Sequence, residues 1–238
     1  MKRIFCIFVT LFSLFALCSC KNEPPESDSP ESTEQEYASF FCTKESVDEF
    51  VAIAESLQGE GKLSVLGITE ENLYNVTPPQ VSAMTNVKIF KDSDSCASFI
   101  LIDGEIYPIC EYFGGYGFVN AVPCDLDNDG NLELLVASSW GSGLHRSIVS
   151  IFDIETKESI VIYNTATTDN PKIDLFVATV SPSLSSQESS KLPVYYQIYS
   201  AKIKVNDHNL AKLSYVATDT IGSVEYENDT FIFKPVNK

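Results

Sequence analysis

Hydrophobic and polar residues follow four successive patterns along the chain. An apolar run covers residues 4–17, and residues 21–37 form a polar stretch rich in proline, glutamate and serine. Apolar residues then recur at helical spacing between Val47 and Leu57. From Val87 onward they alternate with polar residues or form short runs, as strands do. The pattern therefore predicts a leader, a tether, a helical segment and a β-rich domain.

Two helices are predicted in the helical segment. Residues Ser46–Glu49 have the spacing of a capping box, in which each end residue covers the free amide of the other. The helix that follows is expected to end at Gly59 or Gly61, because glycine ends helices readily. A short second helix is expected to start at Thr69 and to be broken by Pro78-Pro79.

The predicted strands are short apolar or alternating segments, and turn residues bound them. They cover residues 87–90, 98–102, 105–109, 117–122, 132–138, 147–152, 159–163, 175–180, 194–205, 212–217, 223–226 and 230–233. Asp103-Gly104 is a hairpin signal and Asn228-Asp229 a tight-turn signal. The serine-rich residues 181–191 are predicted to form a mobile loop.

The predicted fold class is α+β and mainly antiparallel β: a β-rich domain with a short N-terminal helical segment. The expected divisions are a leader at residues 1–19, a tether at 20–38, the helical segment at 39–86 and the β-rich domain at 87–238. No motif returns at a fixed period, so a full propeller of repeated blades is not predicted.

The N-terminus resembles a bacterial lipoprotein signal. Lys2 and Arg3 precede the apolar run, and Leu17-Cys18-Ser19-Cys20 places a branched aliphatic residue and a small residue before a cysteine. The resemblance implies cleavage before Cys20 and two acyl chains on that residue, which suffice for stable membrane anchoring. The chain would then face the periplasm or the cell exterior. A conventional signal peptide with an incidental cysteine is the alternative.

The charge narrows the range of partners. The formal net charge is −17 at pH 7, and such a surface repels nucleic acid and anionic lipid head groups. Nucleic acid is therefore not expected as a partner, and any membrane attachment would depend on the lipid at Cys20. An excess of carboxylates also suits an extracellular module that binds cations, although solubility alone explains much of it.

Four cysteines remain after the leader and Cys20 are set aside. They are Cys42, Cys96, Cys110 and Cys124, and their spacing matches no zinc pattern. In an oxidising compartment they can form two disulfides. Cys110 and Cys124 flank one predicted hairpin and are the first candidate pair, with buried free thiols as the alternative.

Residues 125–133 have the pattern DxDxDGxxE. Calcium prefers six to eight oxygen ligands, and alternate acidic residues in a tight loop direct carboxylates at one centre. Gly130 permits the sharp turn, the carbonyl of Asn131 offers a backbone oxygen, and Glu133 completes the set. An acidic turn that binds nothing tightly is the alternative. The helix–loop–helix form of such a site needs a glutamate where Val136 stands, and strands flank the loop here.

With strands on both sides, the segment resembles the FG-GAP/VCBS repeat of integrin-α-like propellers. Phe113-Gly114 matches the opening of that repeat, and the likeness extends to Val136. It implies a calcium site with Asp125, Asp127, Asp129 and Glu133 as side-chain ligands and Asn131 as a backbone ligand. A single repeat implies a local site in a hairpin rather than a propeller.

A glycine-rich stretch, residues 139–147, follows the calcium hairpin. It holds the only tryptophan, Trp140, with His145 and Arg146, and these side chains suit a loop that binds a carboxylate or a sugar. A turn whose tryptophan packs on the domain explains the same residues. This region also resembles segments of secreted bacterial proteins of unknown activity.

The leading hypothesis is a non-enzymatic, lipid-anchored extracytoplasmic protein that binds an extracellular ligand. Calcium would stiffen the hairpin and position the loop of Trp140 and Arg146. No catalytic set accompanies the metal loop. The alternatives are an extracellular hydrolase acting on glycan or peptide, with His145 or an acid near the metal, and a structural component of the cell envelope.

Overall fold

The computed structural model describes residues 36–61, 68–109, 114–142, 144–169, 172–180 and 195–236. Residues 35–238 belong to one compact unit. The predictions for the leader, for Cys20, for Cys110 and for the serine-rich residues 181–191 lie outside the described residues. Within the described residues, no helix has both the length and the apolar character needed to cross a membrane.

Strands dominate the described structure. In chain order the elements are β1 (Ala38–Ser39), α1 (Val47–Gly59), β2 (Leu73–Asn75), α2 (Pro79–Met84), β3 (Lys88–Asp92), β4 (Ser98–Ile102), β5 (Glu105–Pro108), β6 (Gly117–Cys124), β7 (Glu133–Trp140), β8 (Arg146–Asp153), β9 (Ser159–Asn164), a 3₁₀ turn (Thr165–Thr167), β10 (Asp174–Val180), β11 (Tyr195–Asn206), β12 (Asn209–Glu227) and β13 (Thr230–Pro235).

The strands form three antiparallel sheets. One sheet has the order β2-β3-β4-β5, and a second has the order β6-β7-β8-β9. The third has the order β1-β12-β11-β10, with β13 also paired to β12. The predicted class, mainly antiparallel β with few helices, is confirmed, and the described strands close into no propeller.

The β6–β9 sheet lies between the other two sheets. On one face Leu135 belongs to a core cluster with Ile198 of β11. On the other face Val136 belongs to a cluster with Ile89 of β3. All eight residues of β6 are buried, which explains why this strand has an almost continuous apolar sequence instead of clean alternation.

Helix α1 covers the outer face of the β2–β5 sheet, but its N-terminus differs from the prediction. Ser46 has a left-handed backbone with φ of 57°, and its side chain makes no capping bond. The ammonium group of Lys88 on β3 bonds to both side chains of the predicted box instead. Its Nζ lies 3.4 Å from Ser46 Oγ and 2.5 Å from Glu49 Oε2. The predicted capping box is therefore wrong, because a tertiary ion pair takes its side chains.

The predicted helix from Thr69 is also wrong. Strand β2 lies there, and the backbone groups of Asn75 and Thr43 bond in both directions at 2.9 Å. Helix α2 begins at Pro79, a position that suits proline because the first helical amide needs no partner. Since β2 pairs with β3 and β1 with β12, residues 39–86 share sheets with the β-rich region.

The turn predictions agree with the structure. Asp103 and Gly104 have φ values of 52° and 77° between β4 and β5, and Asn228 and Asp229 have values of 51° and 58° between β12 and β13. These left-handed pairs match the twist of a two-residue hairpin. The predicted strands at 212–217 and 223–226 form one strand, β12, whose N-terminal part pairs with β1 and whose C-terminal part pairs with β13.

Candidate metal centre

The acidic loop joins β6 and β7 at one end of the β6–β9 sheet. Cys124 and Glu133 are partners in the strand register and fix the two ends of the loop. Asn128 and Gly130 have φ values of 61° and 90°, a backbone conformation that asparagine and glycine adopt at low cost. The predicted connection between two strands of a hairpin is thus present.

Three aspartates converge in this loop. One carboxylate oxygen from each of Asp125, Asp127 and Asp129 lies within 4.8 Å of the others. Asp127 Oδ1 accepts the amide of Asp129 at 3.1 Å, and Asp129 Oδ1 accepts the amide of Asn131 at 2.7 Å. These bonds hold the turn and leave other carboxylate oxygens available to a cation.

Asp125 carries an unsatisfied acceptor. Its Oδ1 is buried and has no hydrogen-bond partner among the described residues. A buried oxygen without a partner loses its hydration and gains nothing in return. A cation held between the three aspartates would compensate that loss, so the residues present could hold a metal ion.

Glu133 stands behind the three aspartates but is not one of the converging group. The residue is 4% exposed, and its Oε2 accepts the amide of Leu126 at 3.1 Å. Burial, and secondarily the charges of the nearby aspartates, raise the pKa of Glu133 to about 7, although the bond from Leu126 lowers it. In this structure the Glu133 carboxylate therefore bonds to the loop backbone at Leu126 and does not join the three aspartates.

Asn131 connects the loop to the next hairpin. Its Nδ2 donates to Asp129 Oδ2 at 3.1 Å and to Glu155 Oε2 at 3.0 Å. The side chain is therefore engaged by carboxylates, which leaves the backbone carbonyl as the group that could serve a metal. Sequence reasoning did not find Glu155, because only the sheet brings the β8–β9 turn beside the loop.

A cavity of about 320 Å³ opens beside the loop. Its wall comes from the acidic loop and from the β8–β9 and β12–β13 turns, and consists of Asp127, Asp129, Asn131, Glu133, Asp153, Glu155, Ile160, Tyr226, Asp229, Thr230 and Phe231. The wall contains six carboxylates and no basic side chain. This end of the protein therefore has a strongly negative potential, which attracts cations.

Trp140 and Arg146 face each other at the opposite end of β7. They are partners in the β7–β8 register, and Arg146 Cζ lies 5.0 Å from the centre of the Trp140 ring. Strand β7 has eight residues, so its two ends are roughly 23 Å apart at about 3.3 Å per residue. The length of the strand separates the two features, so any effect of calcium on this loop would have to pass along β7, and that expectation stays a prediction.

His145 packs against Tyr116 and lies near Asp174. The His145 and Tyr116 rings are 4.5 Å apart and nearly perpendicular. Burial raises the pKa of Asp174 to about 6, and the charge of His145 opposes that effect. Among the described residues, His145 makes no hydrogen bond to a nucleophile, so this arrangement gives the hydrolase alternative no support.

Cys124 is a free, buried thiol whose Sγ lies 3.5 Å from the carbonyl oxygen of Glu133. Burial, reinforced by the charge of Glu133, raises the pKa of this thiol, which makes it unreactive. Cys110, the expected disulfide partner of Cys124, lies outside the described residues, so that pairing stays a prediction.

Sequence reasoning missed one buried cation. Lys91 on β3 is 1% exposed, and its Nζ donates to the carbonyl oxygen of Phe118 at 3.0 Å. Lys91 stands two residues after Ile89, a core residue, so the strand period of two places both on one face. This spacing was the sequence feature that could have predicted a buried Lys91.

Comparisons of the chain with protein-family models, with curated proteins and with solved structures found no match.

Proposed function

We propose that this protein is a lipid-anchored, extracytoplasmic binding protein whose β6–β7 loop holds one structural calcium ion. The observation that carries the calcium proposal is the unsatisfied, buried Oδ1 of Asp125 within a group of three converging aspartates. Asp125, Asp127 and Asp129 are the proposed side-chain ligands, and Asn131 is proposed as a backbone ligand. Glu133 is included as a ligand that has to approach the ion when it binds.

The calcium proposal predicts a thermal shift. We expect about 10 mM calcium to raise the unfolding free energy by about 1–3 kcal/mol relative to a chelator, for an affinity in the range of extracellular modules. The expected rise in Tm is several degrees for a domain of this size. Asp125→Asn should remove most of this response, because it takes away the charged acceptor that has no other partner.

Asp229→Asn is the matched control for this experiment. It removes one negative charge from the same acidic end of the protein, in a turn that lies outside the converging group. If charge screening alone caused the response, the two variants would lose it equally. An equal loss, or an unchanged Tm of the unmodified chain in calcium, would contradict the calcium site.

The lipid anchor has a separate test. We expect the mature chain, expressed in a bacterium, to begin at Cys20 and to carry a diacylglyceryl mass on its N-terminal peptide. Cys20→Ala should retain the leader and lack the lipid mass. Cys18→Ala replaces one small residue with another and leaves Leu17, Ser19 and Cys20 in place, so its processing should be unchanged. Intact-mass and peptide mass spectrometry measure both quantities, and an unlipidated wild-type chain would refute the anchor.

Ligand binding is proposed for the loop that contains Trp140, His145 and Arg146. The stacking of Arg146 on Trp140 supports it, because a guanidinium on an aromatic face still offers its edge to a carboxylate. The ligand itself stays unassigned. The hydrolase and structural-envelope alternatives have no specific observation in their favour.

A further inference from the structure

The buried ammonium group of Lys91 has no carboxylate partner among the residues that the structure describes. Among the described residues, its Nζ makes one hydrogen bond, to the carbonyl oxygen of Phe118 at 3.0 Å, although an ammonium group has three donors. The ionisable groups that act on it are the thiols of Cys96 and Cys42, and no carboxylate does so. A desolvated cation without a counter-ion is costly, and such groups concentrate at functional sites.

A small cavity lies at Lys91. Its volume is about 10 Å³, room for about one water molecule. Phe41, Val76 and Phe118 are among the five residues that also line a larger groove of about 270 Å³. The small cavity therefore lies directly behind the groove, with the same side chains between them.

Most of the residues that line the groove are aromatic or aliphatic. It runs between β6, β10 and the segment that follows β1. Phe40 stacks on Tyr215 at 4.3 Å, and Phe176 lies 4.9 Å from the same ring. Phe41 lines both the groove and the small cavity and is 38% exposed, so it is a side chain between the two that solvent reaches.

We propose that this groove binds a small amphiphile with an alkyl chain and a carboxylate head, and that the head pairs with Lys91 when the Phe41 ring turns aside. This movement is needed because Lys91 lines the small cavity and not the groove itself. The aromatic and aliphatic walls bury the chain. The carboxylate supplies the charge partner that Lys91 does not find among the described residues. None of the groove residues belongs to the acidic loop. A failure of the calcium proposal would therefore not bear on this site, and a failure here would not bear on the calcium proposal.

The pairing has a signature that ordinary apolar binding lacks. Burial lowers the pKa of free Lys91 to about 7, and an adjacent carboxylate favours the charged form of lysine. A bound carboxylate should therefore raise this pKa. As a consequence, affinity for the carboxylate should fall as the pH rises from 6 to 9, whereas affinity for a neutral alcohol of the same chain length should not.

The probes are octanoate and octanol, titrated into the full chain by calorimetry, with the Lys91 resonance followed by NMR. We expect saturable one-to-one binding of octanoate at pH 6 and an upward shift of the Lys91 pKa by at least one unit. Lys91→Met should weaken octanoate binding at least tenfold. Lys88→Met, on the same strand but facing Glu49 at the surface, should leave it unchanged.

Octanol separates a carboxylate site from a merely apolar groove. We expect octanol to bind more weakly, without moving the Lys91 pKa and without sensitivity to Lys91→Met. Equal binding of octanoate to the wild type and to Lys91→Met would overturn the proposal. So would an unchanged Lys91 pKa in saturating octanoate, a measurement on the wild type that does not depend on any variant folding.

Discussion

Replacement of Lys91 by methionine should stabilise the protein, and the gain should be largest below pH 7. Lys91 is 1% exposed, and burial lowers its pKa from 10.5 to about 7. A shift of this size corresponds to a penalty on the order of 5 kcal/mol when the amine is protonated. Methionine has a similar volume and no charge, so it removes the penalty while it fills the space.

The gain is smaller than the whole penalty, because the carbonyl oxygen of Phe118 loses the donor that Lys91 provides. An unsatisfied buried acceptor costs about 1–3 kcal/mol. The expected net stabilisation at pH 6 is therefore about 2–4 kcal/mol. Urea unfolding of both proteins at a series of pH values measures it.

The sign of the pH dependence follows from proton binding. Between pH 7 and about pH 10.5 the unfolded chain holds the Lys91 proton and the folded chain has released it. Stability of the wild type therefore rises with pH across this window, relative to the variant. The stability advantage of Lys91→Met should be complete below pH 7 and should shrink above it. At high pH Lys91 is neutral in both states, so the variant should then be less stable than the wild type, because it lacks the hydrogen bond to Phe118.

Lys88→Met is the control on the same strand. Lys88 forms an exposed ion pair with Glu49 at 2.5 Å, and exposed pairs contribute about 0–1 kcal/mol. Its effect should be small and nearly independent of pH up to pH 9. A destabilised Lys91→Met at pH 6 would show that the buried amine is neutral and well bonded there, contrary to the reasoning above.

Local sequence patterns correctly predicted the elements that are fixed by interactions between residues close together in the chain. Residues 98–102 form a short apolar run before Asp103-Gly104, and β4 and its hairpin follow as predicted. The segment near Thr69 fails for the opposite reason, because Asn75 pairs with Thr43, more than thirty residues away in the chain. Long-range pairing of this kind has no signature within a sequence window.

The candidate site shows the same division. The spacing of Asp125, Asp127 and Asp129 in one loop correctly predicts that their carboxylates converge. The presence of Glu155 beside Asn131 depends on how the β8–β9 turn lies against the loop. Lys91 was missed because charged residues in strands usually face solvent. Here the side chain lies on the face of the β2–β5 sheet that packs against the β6–β9 sheet, and it is therefore buried.

Among the described glycines near the start of β6, Gly117 should be the one whose replacement by alanine destabilises the protein most. Gly117 has a φ of 64°, which costs a residue with a Cβ about 1–2 kcal/mol. An added Cβ would lie 2.7 Å from Ser98 Oγ and closer still to the carbonyl oxygen of Cys96. The backbone oxygen cannot rotate away, so β6 would have to move.

The clash lies where two sheets meet. Ser98 Oγ donates to the carbonyl oxygen of Cys96 at 2.9 Å and accepts the amide of Phe118 at 2.9 Å. These bonds connect the β2–β5 sheet to the first residues of β6. Because displacement of β6 would break them, we expect a loss of about 3 kcal/mol or more, within the range of severe buried substitutions.

Gly104→Ala provides the matched comparison for this substitution. Gly104 has a similar φ of 77°, and nothing lies within 4 Å of its added Cβ. Backbone strain alone should therefore cost about 1–2 kcal/mol there, and the difference between the two variants isolates the clash at the sheet junction. Urea unfolding measures both. Equal losses would mean that β6 shifts freely against the β2–β5 sheet, and that the bonds of Ser98 do not hold the two sheets in register.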